Sequence, residues 1–347
     1  MSTKKRIDWV DVAKGICMIL VIISHAEEHF IPGQMATLKV PIYSFHMPLF
    51  FFMSGYLFSM KSSFGEFLKG KCKRILVPYF FLGGILILFD TYWNNRNPFA
   101  ESWFNKDYFM YELTQLLTQK RFWTLWFIAC LFWMNIIFYV IVRFVKNEKI
   151  RAAIVTILAV AGLVYYRLGG GAWFWNMDVC LTTLPFFYVG YLCRKTDVIN
   201  QKLLSNKKYK PILFVGFIVI NAACAMVNWK VFGGYMELFS CQYGMEPLTY
   251  ISAFAGIFAV IILADWCNWF PLRYIGVNTM LLYAWHQTMV LPILQEFYKK
   301  HGMFTDFILP TWKYYGRIGL TTLICCVVLC LVNEIICRIK LGFLVGK

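Results

Sequence analysis

Apolar residues run along the chain in long blocks rather than in the alternating or heptad patterns of a soluble fold. Taking roughly 20 mainly apolar residues as the length that crosses about 30 Å of hydrocarbon, the pattern predicts ten helices. They cover 10–30, 42–60, 75–93, 124–145, 150–166, 173–193, 211–228, 246–264, 273–297 and 317–337. The sixth carries Asn176, Asp178 and Pro185 and is the most interrupted. The reading is an all-α, polytopic membrane helix bundle. It forms a single domain over 1–347, with no internal repeat and no fused soluble domain. The longest connectors are 94–123 and the basic 194–210. The first is aromatic and of mixed charge, which fits either a lid or interfacial helix or an ordinary connector on the headgroups.

Composition agrees: 60% of the 347 residues are hydrophobic and only 15% are charged. The formal net charge of +16 is spread over many loops, with no basic domain that would hold a nucleic acid. With a cytoplasmic N-terminus, about twice as many Lys and Arg fall on inner as on outer segments, so both termini are expected in the cytoplasm. The run after Lys4, Lys5 and Arg6 contains Lys14 and ends in HAEEH without a small-residue cleavage site. It reads as a retained first span rather than a signal peptide. The twelve cysteines include no CxxC and mostly lie in predicted helices, where they act as small apolar residues.

Ionisable side chains inside a bilayer are costly unless they face a partner or a cavity, which makes each a functional candidate. Lys14 and His25 are 11 residues apart, very nearly three helical turns, so they share a face with a rise of roughly 16 Å. Asp11, Glu28 and His29 fall on that side and Glu27 points away. Lys14 has a plain alternative in snorkelling to the headgroups or pairing with Asp11. His25 has one in a bond to a backbone carbonyl. Together they outline a channel, with a cation at the inner mouth and a base three turns deeper. Glu28, one turn beyond His25, is placed to hold the imidazole tautomer and raise its basicity.

His46 near the start of the second span and His286 in the ninth reach comparable depth, so a three-imidazole cluster is expected. Ser54 and Gly55 suit close helix approach. Lys69, Lys71, Lys73 and Arg74 form a cationic collar before the third span. It suits either the membrane's surface charge or a phosphorylated ligand from the cytoplasm. No Walker loop, GxGxxG or HExxH occurs, and no metal site is indicated.

The blocks IDWVDVAKGICMILVIISH, FHMPLFFFMSGYLF, KCKRILVPY, TLWFIACLF and IGVNTMLLYAWH resemble, in order and over nearly the whole chain, the acyltransferase-3 membrane proteins. The likeness is to the branch similar to fucose 4-O-acetylases. A basic residue separated from His by ten residues is met by Lys14 and His25. The FFxxSGY block is met by Phe51, Phe52, Ser54, Gly55 and Tyr56, and the paired-basic motif by Lys71 and Arg74.

The chain departs from the family in having Lys rather than Arg at positions 14 and 71, which keeps charge but loses the bidentate fork. Many members also carry a fused periplasmic SGNH domain, which this sequence lacks. It is therefore expected to act alone or with separate envelope-synthesis partners.

The resemblance implies a ten-helix enzyme of the cell membrane. It would move an acyl group, usually acetyl, from cytoplasmic acyl-CoA to a hydroxyl of a cell-envelope or exported glycan. On that reading His25, Glu28, His46, His286 and Ser54 are the catalytic candidates, and Lys14, Lys71 and Arg74 the donor-binding ones. An acyl-histidine intermediate stays open. So do a proton-coupled sugar or lipid-linked glycan transporter with a relay of Lys14, His25, Asp178 and His286, and an inactive sensor or scaffold.

Overall fold

The computed structural model describes residues 7–30, 38–60, 63–95, 104–302 and 312–347, nearly all of them helical. In chain order the helices begin with α1 (Asp8–Phe30), α2 (Lys39–Tyr43), α3 (His46–Tyr56), α4 (Phe64–Lys71) and α5 (Val77–Asn95). Next come α6 (Lys106–Thr118), α7 (Trp126–Phe144), α8 (Glu148–Arg167), α9 (Met177–Thr196) and α10 (Lys210–Phe232). The chain continues through α11 (Glu246–Trp266), α12 (Phe270–Val277), α13 (Thr279–Trp285), α14 (Leu291–Lys300) and α15 (Trp312–Arg338). Among the described residues seven segments are long and apolar enough to span a membrane: α1, the continuous run Phe64–Asn94, α7, α8, α10, α11 and α15. The chain is therefore a multi-pass membrane protein.

Three predicted spans take another form. The block at 42–60 yields α3, which has 11 residues and a rise of about 16 Å, well short of a full crossing. It is parted from α2 at Ser44. There Ser44 Oγ donates to the Pro41 carbonyl (2.7 Å), and Asn221 Nδ2 donates to Ser44 Oγ (2.7 Å) and to the Ser252 carbonyl (2.9 Å). This buried amide ties the break to α10 and α11, so the freed backbone is satisfied inside the protein, as the bilayer demands.

The block at 173–193 starts with Trp175 and Asn176 in the left-handed region (φ 54° and 52°), and its helix α9 carries Pro185. The block at 273–297 is broken at Asn278, whose Nδ2 donates to the Tyr274 carbonyl (2.7 Å), and again by a π-turn over His286–Val290.

The residues divide into two compact units. The first is Met1–Phe58 with Pro185–Thr279, and the second is Ser59–Leu184 with Met280–Lys347. In the first unit, α1 packs against α2, α3, α11 and α12, and α10 lies along α11. Two crossings are set by glycine pairs. A Cβ on Gly15 would stand 2.0 Å from the Leu272 carbonyl oxygen and one on Gly276 1.7 Å from that of Asp11. One on Gly55 would stand 1.9 Å from the Phe187 carbonyl oxygen and one on Gly190 2.1 Å from that of Phe52. Without a hydrophobic drive between helices in lipid, such close backbone packing is what fixes their positions.

In the second unit, α4 opens with a capping box between Ser63 and Glu66 and passes through a π-turn, Cys72–Leu76, into α5. The aromatic connector at 94–123 supplies α6, which lies on α5. The Tyr79 hydroxyl donates to the Leu116 carbonyl (2.5 Å), and Gln119 Nε2 donates to the Tyr79 hydroxyl (2.9 Å). Beside these, Asp90 accepts from Tyr108 and from Asn94 (2.8 Å), and Glu112 is buried nearby.

Burial first, and then the charge of Asp90, push the Glu112 carboxyl up to about 7, against a hydrogen bond from Tyr108 that works the other way. Because the folded value lies above the ordinary 4.5, the stabilisation is complete below that pH and is lost as pH rises through about 7. The midpoint of thermal unfolding, followed by tryptophan fluorescence, should fall across this interval. In Glu112→Gln, which stays neutral, that part of the fall should vanish.

Candidate functional site

In the first unit a cluster of ionisable residues lies at the C-terminal end of α1. Helical spacing sets His25 one turn ahead of Glu28, and His25 Nδ1 lies 3.3 Å from Glu28 Oε2. The short helix α2 brings Lys39 and Tyr43, themselves one turn apart, to the same place. Lys39 Nζ forms an ion pair with Glu28 Oε1, and the Tyr43 hydroxyl lies 3.4 Å from both Glu28 Oε2 and His25 Nδ1. The Tyr43 ring stands 5.9 Å from the His25 ring and 4.7 Å from that of His46. The turn after α10 adds Tyr235, whose ring is 6.2 Å from Tyr43, with Lys39 Nζ 5.4 Å from its centre.

Burial disfavours the charge on Lys39, but Glu28, with Tyr235 and Glu237 behind it, outweighs that cost and raises its pKa above the lysine norm. Glu28 on the Nδ1 side favours the tautomer with its proton on Nδ1 and a lone pair on Nε2. The side chains of His25 and Lys39 are 15% and 14% exposed, so the cluster is sheltered without being sealed.

Glu27, expected to point away, is fully buried. Its Oε2 accepts from the backbone N–H of Leu38 (3.2 Å) and of Lys39 (3.1 Å), an anion at the start of α2. The helical wheel turns Glu27 away from His25 along α1, yet its carboxylate is covered by the start of α2, the same segment that brings Lys39 to Glu28. Glu27→Gln should lower stability by about 1–3 kcal/mol through the weakened buried acceptor, measured by thermal unfolding. It should also reduce activity by loosening Lys39 and Tyr43.

His46 is buried with Nδ1 on the Ile42 carbonyl (3.0 Å), and its own carbonyl accepts from Cys17 Sγ (3.1 Å), which fastens α3 to α1. The Ser54 hydroxyl donates to the Phe50 carbonyl (2.8 Å) within its own helix. Toward the N-terminal end of α1, Lys14 Nζ pairs with Asp11 Oδ1 (2.9 Å), and Asp8 Oδ2 lies 3.7 Å from Arg273 Nη1.

The remaining candidates belong to the second unit. His286 is buried at the head of the π-turn, with Nδ1 2.9 Å from each of the Leu282 and Tyr283 carbonyls. Lys71 Nζ lies 5.2 Å from the Phe67 ring centre, and Arg74 is exposed on the π-turn before α5. Thus His25 and His46 meet around Tyr43; His286 belongs to the second unit. Asp178 is held by an ion pair with Arg121, which also donates to Asn176 (3.1 Å).

A family model described as an acyltransferase domain, acyltransferase-3, matches residues 7–331. The chain belongs to the acyltransferase-3 family. Among curated proteins it is similar to the nodulation protein NolL of Mesorhizobium japonicum (strain LMG 29417 / CECT 9101 / MAFF 303099), with 40% identity over 79 residues. That match covers 20% of this chain and 21% of the relative, so the likeness spans about a fifth of NolL's length.

Within the family frame, the α1 motif contributes Lys14 and His25, while Glu28, Lys39, Tyr43 and Tyr235 stand with His25 without belonging to any of the family motifs. The motifs and helical spacings in the sequence do not single out Lys39. The available signal was its place four residues before Tyr43, in the apolar run leading to His46.

Proposed function

We propose that the protein is a membrane O-acyltransferase with His25 as general base. Acyl-CoA, in the first instance acetyl-CoA, is the donor, and a hydroxyl of a cell-envelope or exported glycan is the acceptor. Family membership supports acyl transfer, and the contact of His25 Nδ1 with Glu28 Oε2 at 3.3 Å is the observation that carries the assignment of the base. On this reading the ten predicted segments, including the short and interrupted ones, form one domain in the plasma membrane with both termini in the cytoplasm.

His25 Nε2 takes the proton of the acceptor hydroxyl as its oxygen attacks the thioester carbonyl. The carbon–sulfur bond then breaks, and the departing thiolate of CoA takes that proton from the imidazolium. Glu28 fixes the ring tautomer and stabilises the transient cation. Such general-base help is typically worth about 10² to 10⁴ in rate. Lys14, Lys71 and Arg74 are assigned to the donor's phosphates as cations. Lys14 would then share its charge between Asp11 and the ligand. His46, His286 and Ser54, the other catalytic candidates, each bond to a carbonyl in their own stretch of chain.

The test uses proteoliposomes supplied with labelled acetyl-CoA and a panel of glycan acceptors. Label on an acceptor supports the reading, and acceptor flux without acylation would establish a carrier in its place. The ion pair of Asp178 with Arg121 weighs against the carrier, because a committed carboxylate is a poor relay station.

A further inference from the structure

The carboxylate of Glu28 serves two sides. Oε2 meets His25 and Tyr43, and Oε1 meets the ammonium of Lys39. Lys39 is held there by more than this pair. Its backbone N–H is on Glu27, and its Nζ lies 4.7 Å from the Tyr43 ring centre and 5.4 Å from that of Tyr235. A lysine so confined on a sheltered carboxylate is placed to set how strongly that carboxylate acts on its other neighbour.

We propose that Lys39 is a positioning residue for the transfer, holding the Glu28 carboxylate at Oε1 so that Oε2 stays on His25 Nδ1, and offsetting its charge there. The inference rests on the reading of His25 as the base. With His25 neutral, the trio of His25, Glu28 and Lys39 carries no net charge, and protonation of the imidazole makes it +1. Without Lys39 the corresponding states are −1 and 0, so the imidazolium gains stability relative to the neutral ring. A charge within about 4–6 Å typically moves a titration by about one unit or more. Other groups facing the trio among the described residues are Glu27 on α1, Tyr43 on α2, His46 on α3, and Tyr235 and Glu237 beyond α10. All are left in place by a substitution at Lys39.

The experiment reads His25 directly, apart from catalysis. The full-length protein in liposomes is treated with diethyl pyrocarbonate across a pH series, and modification of the His25 peptide is followed by mass spectrometry, with His25→Ala as the blank. Lys39→Met should move the midpoint upward by about one unit. Lys39→Gln, which keeps a hydrogen-bonding side chain and loses only the charge, should do the same and serves if the first variant does not fold. Lys39→Arg should keep the original midpoint, and Glu28→Gln should lower it.

The acid limb of acetyl-CoA turnover should follow these midpoints. An unmoved midpoint in Lys39→Gln overturns the proposal. Full activity of His25→Ala would instead overturn the base assignment, and the two failures are separate because the labelling midpoint needs no turnover.

Discussion

His25→Ala should reduce acyl transfer to acceptor by about 10² to 10⁴, the contribution of a positioned base, while acetyl-CoA binding stays within about twofold of the parent. The side chain lies at the edge of its cluster and its helix is fastened elsewhere by the Gly15–Gly276 crossing, so truncation should leave the protein folded. Purified variants compared by labelled transfer and by donor titration separate the two effects. Near-normal turnover with intact binding would remove the residue from the chemistry. Glu28→Gln should fall between the two. It keeps a hydrogen-bonding partner for Nδ1 but loses the charge that stabilises the imidazolium, so a loss of about tenfold or more is expected.

The largest effect on the fold is expected at Gly276. A methyl group there would stand 1.7 Å from the Asp11 carbonyl oxygen, and the obstacle is backbone rather than a side chain that can swing away. Gly276→Ala should therefore force α12 off α1. The cost belongs to the overpacking class, on the order of 1–3 kcal/mol and more where backbone must move, so folded yield should drop sharply. Detergent-solubilised fluorescent fusions run on size exclusion would show it as loss of the monodisperse peak. Gly216→Ala and Gly319→Ala supply the control, since a Cβ at either meets nothing within 4 Å, and both should behave as the parent does. Comparable yield for all three variants would mean that the crossing is not as close as described.

How much of this was legible in the amino-acid order depends on the range of the interaction. The membrane class, the family and the Lys14–His25–Glu28 face of α1 follow from the sequence by itself. Residues three, four and eleven apart on one helix have their relative directions set by 3.6 residues per turn, whatever packs around them. The apolar blocks are likewise local sums, and most of them became long helices.

Where a block failed to become one long helix, the cause was a non-local polar partner or a backbone break that a hydropathy sum does not register. Asn221 reaches across to Ser44 at the α2–α3 break, and a π-turn begins at His286. Only the tertiary structure decided that Lys39 and Tyr43 meet Glu28 with Tyr235 beside them, that the Glu27 carboxylate holds the start of α2, and that His46 joins His25 through Tyr43. Those meetings depend on how α1, α2 and the turn after α10 are folded back on one another. That geometry comes from glycine crossings and buried amides whose partners lie tens to hundreds of positions away, at separations for which the linear order carries no period.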